Sequence, residues 1–132
     1  MTPAKRQGVI LFAHGARDAR WAEPFERLRD QVDARFASRG GDTRISLAFL
    51  EMMAPDLGHA ADALVAEGCS ALAIIPIFLG QGSHLRRDLP LLAQKLRERL
   101  PEVAISVSEA AGEDDAVLEA LAGYCVRSSS IG

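Results

Sequence analysis

Short apolar runs alternate along the chain with stretches in which apolar side chains recur every three or four positions, and the alternation repeats four times. The run Val9-Ile10-Leu11-Phe12-Ala13 is continuous, the pattern of a strand buried in a parallel sheet. Trp21, Phe25, Leu28, Val32 and Phe36 follow at helical spacing, with Pro24 placed for a first turn and Gly40-Gly41 closing the segment. Arg44 to Leu50 reads as a second strand. Pro55 opens a second helix carrying Leu57, Ala61, Leu64 and Val65, with Gly68 as its left-handed cap. Ala71 to Phe78 reads as a third buried strand whose ladder is irregular on one side at Pro76. Leu89, Leu92, Leu96 and Leu100 mark a third helix, with Asp88 as its N-cap and Pro90 in its first turn. Val103 to Val107 is the fourth strand, and Asp115 starts a last helix through Val117, Leu118, Leu121 and Cys125.

Four strand–helix units predict an α/β fold built on an open parallel sheet with helices on both faces and right-handed crossovers. A closed eight-stranded barrel needs about twice this length. The expected strand order is the flavodoxin-like 2-1-3-4, which puts a switch point between strands one and three, and ligands bind at the carboxyl ends of strands beside such a point. The 132 residues make a single domain over 1–127, with 128–132 expected as a flexible tail.

Composition narrows the function classes. At 48% hydrophobic and 25% charged, the chain has the make-up of a globular domain and not of a disordered one. A net charge of -3 supplies no overall basic field for nucleic acid or an anionic membrane. The apolar run at Val9 is far shorter than a signal-peptide core or a membrane span, so a cytoplasmic protein is expected. Cys69 and Cys125 form no CxxC pair and read as small core residues in a reducing compartment.

Three residues stand where the switch-point rule directs a ligand. His14 follows the first strand, Glu51 follows the second, and His84 lies in the loop after the third. Neighbouring strands are about 4.8 Å apart, so side chains leaving their ends can converge on one ion or small molecule. Two neutral imidazoles and a carboxylate suit a first-row divalent metal such as Co, Ni, Fe or Zn. A single histidine after a strand is more often a hydrogen-bonded loop residue, but two with a glutamate on one rim make a metal site an equal reading. His59, off the apolar stripe of its helix, reads as a solvated surface residue. Arg17, Arg20, Arg86 and Arg87 flank the two histidines and suit an anionic ligand bearing carboxylates or phosphates; pairing with Asp18 and Asp88 is the equally good bland reading. Gly80-Gln81-Gly82 lacks the third glycine of a dinucleotide fingerprint, Leu85 standing in its place, and no Walker loop or HExxH is present.

The segment Ala13-His14-Gly15-Ala16-Arg17-Asp18, taken with Pro76-Ile77-Phe78-Leu79-Gly80-Gln81-Gly82-Ser83-His84-Leu85-Arg86-Arg87-Asp88-Leu89-Pro90, resembles the class II tetrapyrrole chelatases, in particular their short sirohydrochlorin cobaltochelatase branch. Phe49-Leu50-Glu51 with Pro55 fits the same pattern, and the similarity runs from about Gly8 to Gly112. The resemblance implies a flavodoxin-like half-domain that inserts a divalent metal (cobalt, with nickel or iron as alternatives) into sirohydrochlorin, on the way to cobalamin or siroheme. Larger relatives hold two such halves across a cleft, so a chain of one half is expected to form a homodimer. His14 and His84 match the family's metal-handling histidines and Glu51 its acidic residue after the second strand. The metal is a substrate, and no tightly bound cofactor is implied. On this resemblance His14 and His84 hold the metal and accept protons, Glu51 assists, and Arg17, Arg20, Arg86 and Arg87 receive the substrate's carboxylates. Gly80, Gly82, Ser83, Met52 and Met53 line the flat macrocycle. Ala16 departs from the serine usual after His-Gly, and Gly112-Glu113-Asp114-Asp115 is less typical.

Two rivals remain at the level of sequence. One is a non-catalytic metal or tetrapyrrole carrier on the same fold. The other is a histidine phosphatase, which needs an arginine directly before the histidine, where this chain has Ala13.

Overall fold

The computed structural model describes residues 6–129. The elements run β1 (Arg6–Ala13), α1 (Glu23–Ser38), β2 (Thr43–Phe49), α2 (Leu57–Ala66), β3 (Cys69–Pro76), α3 (Ser83–Arg99), β4 (Ala104–Val107) and α4 (Asp115–Ser129), with 3-10 turns at Ala19–Ala22 and Ala111–Glu113. The strands form one parallel sheet, as the alternation along the chain predicts, in the expected flavodoxin-like order β2-β1-β3-β4.

Register divides the side chains between two faces. Val9 lies level with Ile45 and Ala73, and Leu11 with Leu47 and Ile75, so these residues share a face. Trp21 in the first 3-10 turn and the α1 stripe Phe25, Leu28, Val32 and Phe36 pack on it, with α1 lying over β2. Ile10, Phe12, Leu72 and Ile74 point the other way and are covered by Leu57, Ala61 and Leu64 of α2 and by Leu85, Leu89 and Leu96 of α3. This second core is the drier one: Ile10, Phe12, Leu72, Ile74 and Pro76 are almost wholly enclosed. Each such apolar side chain contributes roughly 1.5–3 kcal/mol of burial.

Several element boundaries differ from the sequence reading. Helix α2 is capped by Asp56, whose carboxylate accepts from the His59 N–H at 2.8 Å, so Pro55 precedes the helix instead of opening it. That hydrogen bond holds the Asp56 carboxyl below its ordinary pKa. Strand β3 starts at Cys69 and ends at Pro76, and its register shift lies at the opposite end, between Arg6 and Gln7 of its partner. Helix α3 begins at Ser83 with Gly82 as N-cap, so Asp88 is an interior residue and Pro90 sits inside the helix. The helix tolerates Pro90 because both it and Arg86, whose carbonyl loses its acceptor role there, are on the exposed side. Helix α4 is capped by Asp114, which accepts from the Val117 N–H at 3.1 Å, and it runs through Ser128 and Ser129, which are helical and not the tail expected there. The expectation for 130–132 lies outside the described residues. Cys69 is buried as expected, and burial pushes its thiol pKa up. Cys125 is exposed on α4 and is not a core residue, because α4 does not pack into the core.

Candidate functional site

The carboxyl ends of β1, β2 and β3 form one rim, and the backbone ladder runs past the strands to build it. Leu50 N–H donates to the Ala13 carbonyl at 2.9 Å, and Glu51 N–H donates to the His14 carbonyl at 3.1 Å. His14 and Glu51 are thereby main-chain neighbours, as their positions after adjacent strands imply. Gly15 makes the approach possible: its φ is +95°, and a Cβ there would lie 1.8 Å from the Glu51 carbonyl oxygen. Met52, directly after Glu51, also has a positive φ of 65° and leaves 58% of its surface exposed at the rim.

On the other side of β1, Ile77 N–H donates to the Phe12 carbonyl at 2.8 Å and carries the chain past the end of β3. This sets the buried Phe78 ring against His14, centroids 5.3 Å apart and planes at 74°. An edge-to-face contact of this kind fixes the imidazole's orientation while His14 itself stays exposed. Phe78 is held in turn by Phe12, at 6.0 Å and 81°. The loop that follows is fastened from β4's side. Gly112 N–H donates to the Phe78 carbonyl at 2.8 Å, and a Cβ on Gly112 would sit 1.6 Å from the Leu79 carbonyl oxygen.

His84 lies in the first turn of α3 and not in a loop. Its Nε2 is 2.9 Å from Asp88 Oδ2 one helical turn on, and its side chain is 87% exposed. A carboxylate on one ring nitrogen orients the imidazole and leaves Nδ1 for another partner. Gly82 caps this helix, and Ser83 is its first residue; Gly80 is exposed, with open space where a Cβ would stand.

The four arginines divide into two pairs. Arg20 is engaged by Asp18 at 3.3 Å, and the Arg20 backbone N–H and guanidinium hold the Asp18 carboxyl below its ordinary pKa. Arg86 has Glu113 at 3.9 Å. Among the described residues Arg17 and Arg87 make no ion pair, which leaves them as the cations ready for an anionic ligand. His59 is a surface residue as expected, its Nδ1 2.7 Å from Asp56.

The structure makes His14 and Glu51 main-chain neighbours and puts His84 on the helix that starts from the same end of the sheet. Among the described residues no group of three or more His, Cys, Asp or Glu is placed to hold a metal ion. Of three surface cavities of about 400, 330 and 420 Å³, the second is lined in part by Gln81, Arg86 and Glu113, and none is lined by His14, His84 or Glu51. The rim of one copy is therefore an open face, not a closed ligand cage. Sequence reasoning missed Phe78, Asp88 and Gly112. The spacing of Asp88 four residues after His84 was a legible sign of a helical pair; the role of Gly112 depends on a long-range contact with no local signature. No helix of the described residues is long and apolar enough to cross a membrane.

Comparison with known proteins points one way. A family model described as CbiX matches residues 8–125. A sirohydrochlorin cobaltochelatase of Saccharolobus solfataricus is 27% identical over 120 residues, spanning 86% of this chain and 89% of that protein. A sirohydrochlorin ferrochelatase of Priestia megaterium is 26% identical over 117 residues, spanning 86% of this chain but 41% of that protein. Among solved structures, a CbiX protein from Marinobacter aquaeolei VT8 superposes with a TM-score of 0.82 at 26% identity, covering 96% of this chain and 99% of that one. The sirohydrochlorin chelatase SirB from Bacillus subtilis, in complex with cobalt, superposes with a TM-score of 0.77 over 92% of this chain and 50% of that one; at 21% identity this likeness is one of fold.

Proposed function

The chain belongs to the CbiX family, and from that membership we propose that it is a chelatase (a lyase in the reverse sense) inserting a divalent metal ion into sirohydrochlorin. The observation that carries the reading is the exposed imidazole of His14 at the carboxyl end of the central strand, beside Glu51, in a chain aligned nearly end to end with a sirohydrochlorin cobaltochelatase.

The reaction exchanges two pyrrole N–H protons for one divalent cation, so it needs a loose hold on the incoming metal and a base for each proton. A closed four-ligand site would bind the ion too tightly to release it. An open rim with imidazoles suits a metal that is substrate and not cofactor. A neutral imidazole nitrogen can ligate a divalent ion or accept a proton. In this reading His14 and His84 take those parts, with Phe78 fixing the first ring and Asp88 the second. Glu51, joined to His14 through the main chain, attracts the cation to the rim. Arg17 and Arg87 receive the peripheral carboxylates, and Arg20 and Arg86 join them by exchanging Asp18 and Glu113 for the ligand. Met52 and Leu79, 58% and 67% exposed, give the flat macrocycle apolar surface, with Gly80, Gly82 and Ser83 permitting close approach.

The reading takes the protein to work in the cytoplasm, which the two free cysteines suit, and as a pair of copies that closes the open rim into a cleft. Cobalt is the metal that the cobaltochelatase relatives are named for, and the ferrochelatase relative is named for iron. A panel of Co(II), Ni(II) and Fe(II), each with sirohydrochlorin under anaerobic conditions, tests the proposal through loss of the free-base absorption bands. Acceleration over the protein-free mixture is expected, greatest for Co(II). Rates equal to the protein-free control for every metal overturn it.

A further inference from the structure

The cavity of about 330 Å³ lies between α3 and the exit of β4, and it is built in two halves. Leu89, Ala93 and Ala110, all buried, make an apolar floor with the half-buried Val107. Gln81 in the loop after β3, Arg86 near the start of α3 and Glu113 in the 3-10 turn after β4 stand at its upper end, the end of the sheet that carries the rim. The Arg86 guanidinium has Glu113 Oε1 at 3.9 Å, an ion pair too long to be a hydrogen bond. Both side chains are more than half exposed, so the pair is weak and parts easily.

The lining selects a chemical class. The main-chain N–H groups of Arg86, Ser108 and Glu113 donate to the carbonyls of Gly82, Ile74 and Ala110, and Pro90 has none. A phosphate would therefore find no cradle of main-chain donors on these walls. An apolar floor beneath one loosely held guanidinium suits an aliphatic carboxylate, with methylenes below and the carboxylate above. Empty, the lining balances Arg86 and Arg97 against Glu109 and Glu113; with Glu113 turned to solvent it carries one net positive charge. His84 and Arg86 are two residues apart, about 200° round the helix. The groove thus opens on the flank of α3 away from His84, about 10 Å across one helix width. A tetrapyrrole ring lying over the start of α3 spans that width, with acetate and propionate arms at its edge.

We propose that this groove seats one carboxylate arm of the tetrapyrrole, its methylenes on Leu89, Ala93 and Val107 and its carboxylate on Arg86, and that Glu113 holds the arm's place while the groove is empty. The inference deepens the chelatase reading, on which the identity of the arm rests. Glu113 competes with the substrate for one guanidinium, so removing its charge tightens binding. A ligand that brings no carboxylate to Arg86 has nothing to exchange for Glu113. The groove thereby takes part in choosing a carboxylate-rich macrocycle over an apolar one.

Titration of the full chain with metal-free sirohydrochlorin, followed by absorbance, tests this. Arg86→Gln is expected to raise the dissociation constant about 10-fold. Ser108→Phe, which fills the groove from its exposed wall, is expected to raise it likewise. Glu113→Gln is expected to lower it about two- to five-fold. In the Arg86→Gln background Glu113→Gln is expected to change nothing, because the two residues act on one interaction. All three side chains are exposed, so folding is kept. A Glu113→Gln effect of equal size in both backgrounds marks general charge repulsion and overturns the proposal, as does an unchanged constant in Glu113→Gln or in Ser108→Phe. Binding with the expected pattern but without accelerated metal insertion overturns the chelatase reading and leaves the groove standing; accelerated insertion without the pattern does the reverse. A wild type that does not bind sirohydrochlorin overturns both.

Discussion

Gly15→Ala is expected to slow metal insertion about 100-fold and destabilise the fold in one step. The position needs a backbone at φ +95°, which a Cβ disfavours, and that Cβ would lie 1.8 Å from the Glu51 carbonyl oxygen. A side-chain tip could rotate away; a main-chain carbonyl cannot, so the β1 and β2 exits must separate and the Glu51–His14 hydrogen bond must stretch. The strain and the forced shift together cost about 2–4 kcal/mol, and a displacement of the site by an ångström costs about 100-fold in rate. Urea unfolding and the chelation assay read the two effects. Gly80→Ala is the control: nothing lies within 4 Å of its Cβ position and its φ is not positive, so its unfolding midpoint stays near that of the wild type. Equal midpoints and equal rates for Gly15→Ala and the wild type contradict the geometry of the rim.

His14→Ala produces the second large effect, confined to the reaction. The ring is exposed and contributes no hydrogen bond to the described fold, its principal contact being the edge-to-face packing on Phe78. Stability should therefore change little. Loss of a positioned proton acceptor lowers a rate by about 10²–10⁴-fold, and loss of a ligand to the incoming metal adds to this. His84→Ala is expected to reduce insertion likewise, with folding intact because its side chain is 87% exposed. Asp88→Asn leaves the imidazole present but poorly oriented, and its rate should fall between that of His84→Ala and the wild type. Wild-type insertion rates in both histidine variants would remove them from the reaction.

The fold was legible where pattern alone decides it. Four apolar runs separated by helical stripes are enough for a parallel sheet, and the apolar runs Val9–Ala13 and Ala71–Pro76 occupy its two central strands. Glycine and proline misled the reading of α3. Pro90 looks like a first-turn residue and Asp88 like its cap, but an exposed proline can be carried inside a long helix whose start is set by Gly82. His84 consequently moves from a loop to a helix, where the carboxylate four residues on becomes its partner. His14 and Glu51 were legible as neighbours because strands adjacent in a parallel sheet end on one edge. Cys125 was misplaced for the opposite reason. Its stripe has core periodicity, but periodicity cannot say whose core the stripe joins, and this chain's own sheet does not receive it.

The central claim is that an open rim carrying His14 turns metal insertion over instead of merely binding its reactants. Counting conversions with sirohydrochlorin and Co(II) both in large excess over protein tests it most directly. The account predicts that metallated product accumulates to many equivalents per chain, with an initial rate proportional to protein concentration. Formation that halts at one equivalent per chain or per pair of chains, leaving the slow protein-free reaction as the only further source of product, would contradict it.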